Sequence, residues 1–165
     1  MICVKKTDAW ELWKYNPGVF KPFMINMEPL SLLARIRFLI DYCYGYEVFY
    51  IKKQDTYIGY CTLTSGKNPR YWFANGDDII IGPYYVDEKY RGQGFCRSMV
   101  QASLYATASE WNNAYLYIKN TNMPSIKVAL SIGAEWVFNV HNTVTRKLVK
   151  DDAGEYGVYR VSRQR

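Results

Sequence analysis

The feature that most constrains this chain is the turn Arg91-Gly92-Gln93-Gly94, set between a run rich in Ile and Tyr (residues 78–86) and a segment carrying Phe95, Met99, Ala102 and Ala106 on one helical face. At the start of a helix several backbone N–H groups have no intrahelical acceptor, and the aligned peptide dipoles add partial positive charge there. A phosphate satisfies both. Glycines at 92 and 94 permit the tight turn and remove the β-carbons that would keep a pyrophosphate from the amides, and Arg91 adds a cation. The segment does not fit a P-loop, because no Gly-Lys-Ser/Thr follows the glycines. It does not fit a dinucleotide fingerprint either, since the third glycine is missing and the strand falls late in an antiparallel meander. A short Gly-rich turn also serves as plain loop-to-helix punctuation, so its neighbours must decide between the two readings.

Upstream, Leu32, Leu33, Ile36, Leu39, Ile40 and Cys43 recur every three to four residues, while Arg35, Arg37 and Asp41 fall outside the stripe. The pattern predicts an amphipathic helix between Pro29 and Gly45. Glu47 to Lys53 and Thr56 to Leu63 are rich in aromatic and β-branched residues and are split by Gln54-Asp55, which predicts two antiparallel strands and a tight turn. Residues 65–76 hold two Gly, a Pro and two Asn, so they read as a loop that carries Tyr71, Trp72 and Phe73 at or near the surface, where they would line an acceptor pocket. Then come a strand (78–86), a long helix (94–111), a strand (114–119) and a short helix (124–132), an alternation that implies parallel pairing. Two closing strands (135–141 and 157–162) flank a polar stretch with Asp151-Asp152-Ala153-Gly154.

With 165 residues, 49% of them hydrophobic, the chain reads as a single domain (1–165) with a real core. A net charge of +6 favours anionic partners. The 28 aromatic side chains (five Trp, sixteen Tyr, seven Phe) are dispersed and not gathered beside Lys/Arg clusters as a base-stacking platform requires. The C-terminal Arg160, Arg163 and Arg165 alternate with apolar or neutral residues like an ordinary strand end, so nucleic acid is not the expected partner. Cys3, Cys43, Cys61 and Cys96 form no CxxC pair, which argues against zinc and a disulfide framework. Met1 to Asp8 lack a charged stretch followed by an apolar one, no run approaches membrane-spanning length, and a cytoplasmic location is expected.

Residues 86–96, Val-Asp-Glu-Lys-Tyr-Arg-Gly-Gln-Gly-Phe-Cys, resemble the Q/R-x-x-G-x-G/A signature of the GNAT superfamily of N-acetyltransferases, with Cys96 in place of the final small residue. Ile81 to Val86 resemble the cofactor-binding strand of that family, and Asn122, Ser125 and Gly133 recur at the spacing of its N-x-x-A/S and closing glycine pattern. Together these cover Glu47 to the C-terminus. The resemblance implies a mixed α/β (α+β) acyl-CoA N-acyltransferase fold, a central mixed sheet of about six to seven strands flanked by about four helices. It implies acetyl-CoA as co-substrate and no metal. The amides of Tyr84 and Val86, with Tyr85 between them, would pair with pantetheine, and those of Gly92, Gln93, Gly94, Phe95, Cys96 and Arg97 would take the pyrophosphate. Asn122 and Ser125 would flank the CoA tail. Pro83, which cannot donate a ladder bond, suits a strand that splays from its neighbour.

Acetyl transfer to an amine needs a neutral nucleophile, a polarised thioester carbonyl and a proton for the departing thiolate. Many family members place a tyrosine seven residues after the asparagine, but this chain has Ala129. Tyr117 or a water is the substitute acid, although a tyrosine there is also a natural packing residue. Asp78 is a candidate base or simply a solvated strand-end carboxylate, and Glu47 is another carboxylate of the meander. His141 has no evident partner and reads as structural; Cys96 reads as packing rather than as a thiolate nucleophile. The expected activity is transfer of acetyl from acetyl-CoA to a primary amine of a small molecule, such as an amino sugar or an amino acid derivative, by a monomer or homodimer. The alternatives are an acyl-CoA-binding module without turnover and an acetyltransferase acting on aminoacyl-tRNA.

Overall fold

The computed structural model describes residues 1–143 and 147–163; Arg165 of the basic C-terminus lies outside them. It holds nine strands and three α-helices among the described residues, more strands and fewer helices than the resemblance implies. The hydrogen-bonded neighbours run in the order β1 (Ile2–Lys6), β2 (Glu11–Tyr15), β3 (Tyr46–Lys53), β4 (Thr56–Ser65), β5 (Ile79–Val86), β6 (Asn113–Lys119), β9 (Tyr156–Ser162), β7 (Glu135–Asn142) and β8 (Leu148–Lys150), and the chain divides into two compact units.

The first unit comprises residues 1–64 and 81–109. The strands β1 (Ile2–Lys6), β2 (Glu11–Tyr15), β3 (Tyr46–Lys53) and β4 (Thr56–Ser65) form an antiparallel meander. Gln54 adopts φ 53° in the expected β3–β4 turn. The β1–β2 hairpin carries no expectation from the sequence: every residue of β1 is exposed, so it shows no alternation to detect. The last six residues of β5 (Ile79–Val86) and the helix α2 (Phe95–Ala106) complete this unit. The helix stops five residues before the predicted end at Trp111, because Thr107 leaves helical geometry and its hydroxyl donates to Glu47 Oε2 at 2.7 Å.

Helix α1 (Leu32–Tyr44) forms between the predicted punctuation, with the Ser31 hydroxyl accepting from the Ala34 amide, but it buries the other face. Leu32, Leu33, Ile36, Leu39 and Ile40 are exposed, whereas Phe38 and Asp41 are buried. The reason is aromatic. The Phe38 ring meets Phe23 edge-on at 4.8 Å and Tyr46 at 5.7 Å, inside a cluster with Val48, Tyr50 and Tyr60. Such pairs add about 0.5–1.5 kcal/mol each beyond area burial, and they fix which side of the helix turns inward.

The second unit comprises residues 65–80 and 110–165. The first two residues of β5 pair in parallel with β6 (Asn113–Lys119), the strand-helix-strand arrangement the alternation predicts. Helix α3 (Met123–Ser131) follows, then β7 (Glu135–Asn142), β8 (Leu148–Lys150) and β9 (Tyr156–Ser162), with β9 antiparallel to both β6 and β7. Its core gathers Tyr71, Ile80, Tyr115, Val140, Leu148 and Val158. The loop aromatics therefore correct the sequence expectation. Tyr71 is buried, Phe73 packs edge-on against Tyr115, and only Trp72 remains substantially exposed, stacked on Phe138 with its indole N–H donating to the Leu148 carbonyl at 2.7 Å.

Candidate functional site

Two glycines and a set of side-chain hydrogen bonds build the turn after β5. A 3-10 turn (Glu88–Tyr90) opens with the Asp87 carboxylate accepting from the Lys89 amide at 3.2 Å. Arg91 Nε donates to the Val86 carbonyl at 2.9 Å, Arg91 Nη1 pairs with Glu88 Oε1 at 3.1 Å, and Gln93 Nε2 donates to the Lys89 carbonyl at 3.1 Å. Arg91 thus braces the turn and shares its charge with Glu88, where the sequence suggested a cation for a ligand. Gly92 and Gly94 sit at φ 75° and 81°, and a β-carbon built on either meets no atom within 4 Å. Open space lies where a side chain would have been.

Gly94 is the N-cap of α2 and supplies no side-chain cap, and the first bond into the helix is Ser98 N to Gly94 O at 3.0 Å. The amides of Phe95, Cys96 and Arg97 therefore have no intrahelical acceptor, and the dipole of a twelve-residue helix adds positive potential to them. Unpaired amides at a helix start are groups that an anion can satisfy. Phe95 is buried and anchors the helix start; Arg97 is exposed. Partial burial pushes the Cys96 thiol up to about 12, which favours the protonated form at neutral pH.

The strand leading into the turn is held tightly on its other side. A β-carbon on Gly59 would lie 2.5 Å from the Tyr85 carbonyl oxygen, so β4 approaches β5 here only because residue 59 is glycine. Asp87 N donates to the Ile58 carbonyl at 2.9 Å, and the Thr62 hydroxyl to the Pro83 carbonyl at 3.2 Å, next to a cis Gly82–Pro83 peptide. Tyr84 and Tyr85 are half-buried and Val86 is buried; the Tyr85 ring stacks on Tyr60.

In the second unit, Asp78 and Tyr117 have different surroundings. Asp78 is buried, Oδ2 accepts from the Asn75 amide at 2.8 Å, and Oδ1 accepts from Asn113 N at 2.9 Å and Asn113 Nδ2 at 3.1 Å. Both oxygens are committed to closing the loop before β5 onto β6, so neither reading of the sequence, solvated carboxylate or open base, describes it. Tyr117 is half-buried, and its hydroxyl accepts from Arg70 Nη2 at 3.4 Å; the same Nη2 donates to Asn142 Oδ1 at 3.0 Å. Burial of Arg70 opposes its charge, but Tyr117 and Tyr71 outweigh that and raise its pKa. Nothing in the sequence marked Arg70: it lies in an aperiodic loop, 47 residues from Tyr117.

Asn122 and Ser125 meet at the start of α3, where Asn122 Oδ1 accepts from the Ser125 amide at 3.3 Å as the helix N-cap. Ala129, one turn on, is wholly buried. His141 Nδ1 lies 3.1 Å from Asp151 Oδ2, a partner the sequence did not reveal. In the first unit, Glu47 is taken up by the Lys14 ammonium and the Thr107 hydroxyl. Among the described residues no group of three His, Cys, Asp or Glu could hold a metal ion, and no helix is long and apolar enough to cross a membrane.

A family model described as "Acetyltransferase (GNAT) family" matches residues 10–134. No curated protein matches the chain in sequence. Among solved structures, an acetyltransferase from Thermus thermophilus is similar over 98% of this chain and 99% of its own (TM-score 0.62, 14% identity). A ribosomal L7/L12 alpha-N-protein acetyltransferase in complex with coenzyme A is similar over 97% of each chain (TM-score 0.61, 13% identity). A Bacillus subtilis acetyltransferase in complex with CoA is similar over 81% of this chain and 85% of its own (TM-score 0.60, 14% identity). At these identities the structural likeness speaks to the fold, the acyl-CoA N-acyltransferase fold.

Proposed function

Because the chain belongs to the GNAT acetyltransferase family, we propose that it moves an acetyl group from acetyl-CoA to a primary amine of a small molecule, such as an amino sugar or an amino acid derivative. The observation that carries the cofactor half is the uncapped start of α2, three amides beside two positive-φ glycines with open space over them. In this reading the amides from Gly92 to Arg97 take the pyrophosphate, and the amides of Tyr84 and Val86 pair with pantetheine. Asn122 and Ser125 would serve the cofactor from the start of α3, beyond their capping role. The likeness to two CoA-bound acetyltransferases supports it.

The amine nitrogen attacks the thioester carbonyl carbon, the C–S bond breaks, the nitrogen loses a proton and the thiolate gains one. Rigid amides on β5 are suited to the developing oxyanion. Tyr117 is our candidate for the proton to sulfur, a half-buried hydroxyl held in place by the hydrogen bond it accepts from Arg70 Nη2 at 3.4 Å. Asp78, with both oxygens committed, is assigned to structure.

Ala129 motivates a second reading, an acyl-CoA-binding module without turnover: the position where many relatives carry their acid is a buried alanine. The test is calorimetry with CoA together with thiol release from acetyl-CoA over amino sugars, amino acids, N-terminal peptides and aminoacyl-tRNA. Turnover on the small amines supports the first reading. CoA binding without turnover on any acceptor supports the second, and turnover on peptides or tRNA alone overturns the small-molecule assignment.

A further inference from the structure

Helix α1 presents an apolar stripe to solvent. Leu32, Leu33, Ile36, Leu39, Ile40 and Cys43 are all exposed, while the opposite side of the helix carries Phe38 into the aromatic cluster with Phe23, Tyr46 and Tyr60. The helix therefore packs on one side and leaves a second apolar side uncovered. Leu32, Ile36, Leu39 and Cys43 are spaced by four, three and four residues, the alternation of a two-helix seam, and the series reads the same from either end. The aliphatic residues of the stripe and the flanking Tyr42 and Tyr44 are 40% to 74% exposed. At on the order of 100 Å² apiece they offer roughly 700 Å², more than the about 300–600 Å² of a monomer's largest apolar patch and close to the about 800 Å² that each partner gives to a standard interface.

We propose that this stripe is a homodimer interface, with α1 of one protomer packed antiparallel on α1 of its partner about a two-fold axis at the helix midpoint. It does not depend on the acetyl-transfer reading. Because the seam is symmetric about a point between Arg37 and Phe38, a second copy laid antiparallel puts Ile36 against the partner's Leu39 and Leu32 against the partner's Cys43. Each layer then occurs twice, as an isologous contact requires. The flanking positions also match: Leu33 meets the partner's Ile40, and Arg35 meets the ring of the partner's Tyr42, a cation against an aromatic face. None of these pairs sets like charges together. The antiparallel sense opposes the two helix dipoles, which a parallel pair would align. An unrelated protein has no reason to find a series that is symmetric about its centre; a second copy does. A lipid surface would favour free basic residues along both margins of the stripe, but Arg37, on the margin away from Arg35, is paired with Asp41.

Sedimentation equilibrium on native protein at about 100 µM should give a dimer mass, with a Kd in about the micromolar range for an interface of this size. Ile36→Glu sets a carboxylate in the apolar seam and should weaken association by about 30-fold or more. Its circular dichroism and melting temperature should match the native monomer's, since the position is exposed. Tyr105→Glu, at an exposed apolar side chain of α2, should leave the dimer intact. Orientation is read by cross-linking with oxidised glutathione in a Cys3→Ser background. Positions 32 and 43 lie about 16 Å apart along one helix, too far to join within a protomer, so Leu32→Cys should yield a disulfide-linked dimer through the partner's Cys43. Without that substitution no cross-link should form, because the antiparallel pair holds the two Cys43 thiols at opposite ends. Monomeric native protein at the same concentration, a dimer that survives Ile36→Glu, or a cross-link between two Cys43 thiols overturns the proposal. So does a native monomer that binds phosphatidylcholine vesicles and loses them in Ile36→Glu, which would give the face to a lipid surface.

Discussion

Arg91 Nε donates to the carbonyl of Val86 at 2.9 Å, so the residue that opens the glycine turn is tied to the last residue of the strand before it. The guanidinium needs its planar fork for this, since Nη1 also reaches Glu88 Oε1 at 3.1 Å. Arg91→Lys keeps the charge and loses the fork. If the turn must be held rigid to present its amides, CoA affinity should fall about ten-fold, the equivalent of one such bond, while the melting temperature drops by no more than a few degrees. Calorimetry and thermal denaturation on the same preparation check it; unchanged affinity would show that the turn holds its shape without the brace.

Gly59 makes a sharper steric prediction. A methyl group there would meet the Tyr85 carbonyl oxygen at 2.5 Å and a Val86 methyl at 3.0 Å, one of them backbone that cannot rotate away. Gly59→Ala should cost about 1–3 kcal/mol, a fall of several degrees in melting temperature for a chain of this size. Because the clash is with the strand assigned to pantetheine, the folded variant should also bind CoA more weakly. Wild-type stability in Gly59→Ala would show that β4 and β5 are free to separate at this point.

Asp78→Asn separates a structural carboxylate from a catalytic one. The amide keeps one acceptor oxygen and puts an NH₂ where the other oxygen accepts a backbone N–H, so one buried donor faces another at a cost of about 1–3 kcal/mol. The expected outcome is a lower melting temperature with kcat within a few-fold of native at a temperature where the variant is folded. A general base would behave oppositely, losing about 10²–10⁴ in rate with little change in stability. Such a loss would return Asp78 to the chemistry.

The strand-turn-helix unit was legible in the sequence because its determinants are local: positive φ at Gly92 and Gly94, an apolar helix face, and a run of β-branched residues each act within a few positions. What depended on distant partners was not. The stripe on α1 predicted the helix but the wrong buried face, since Phe38 answers to Phe23 and Tyr46 and not to its own helix. Asp78 could be recognised as structural only through Asn113, 35 residues away, and Arg70 only through Tyr117. The hairpin of β1 and β2 leaves no signal in the sequence, because a wholly exposed edge strand shows no alternation of apolar and polar residues.

Buried acids give the last prediction. Burial pushes the thiol of Cys96 up to about 12, and it raises Cys61, Tyr46 and Tyr60 in the same direction. In the unfolded chain a thiol ionises near a pH of about 8.5. Below that value both states hold the proton and the group contributes its full stabilisation. As pH rises above it the unfolded state loses protons that the folded state keeps, so stability falls progressively until the folded thiol itself ionises. The protein should therefore melt at a lower temperature at a pH of about 10 than at about 7.5, on either side of the unfolded thiol's pKa. Cys96→Ala should shrink that difference, leave CoA affinity near neutral pH almost unchanged, and slow neither chemistry nor binding. Melting curves at the two pH values for both proteins measure it. An equal alkaline loss in Cys96→Ala would assign the effect to the remaining buried groups, and loss of turnover near neutral pH would give the thiol a part in the reaction.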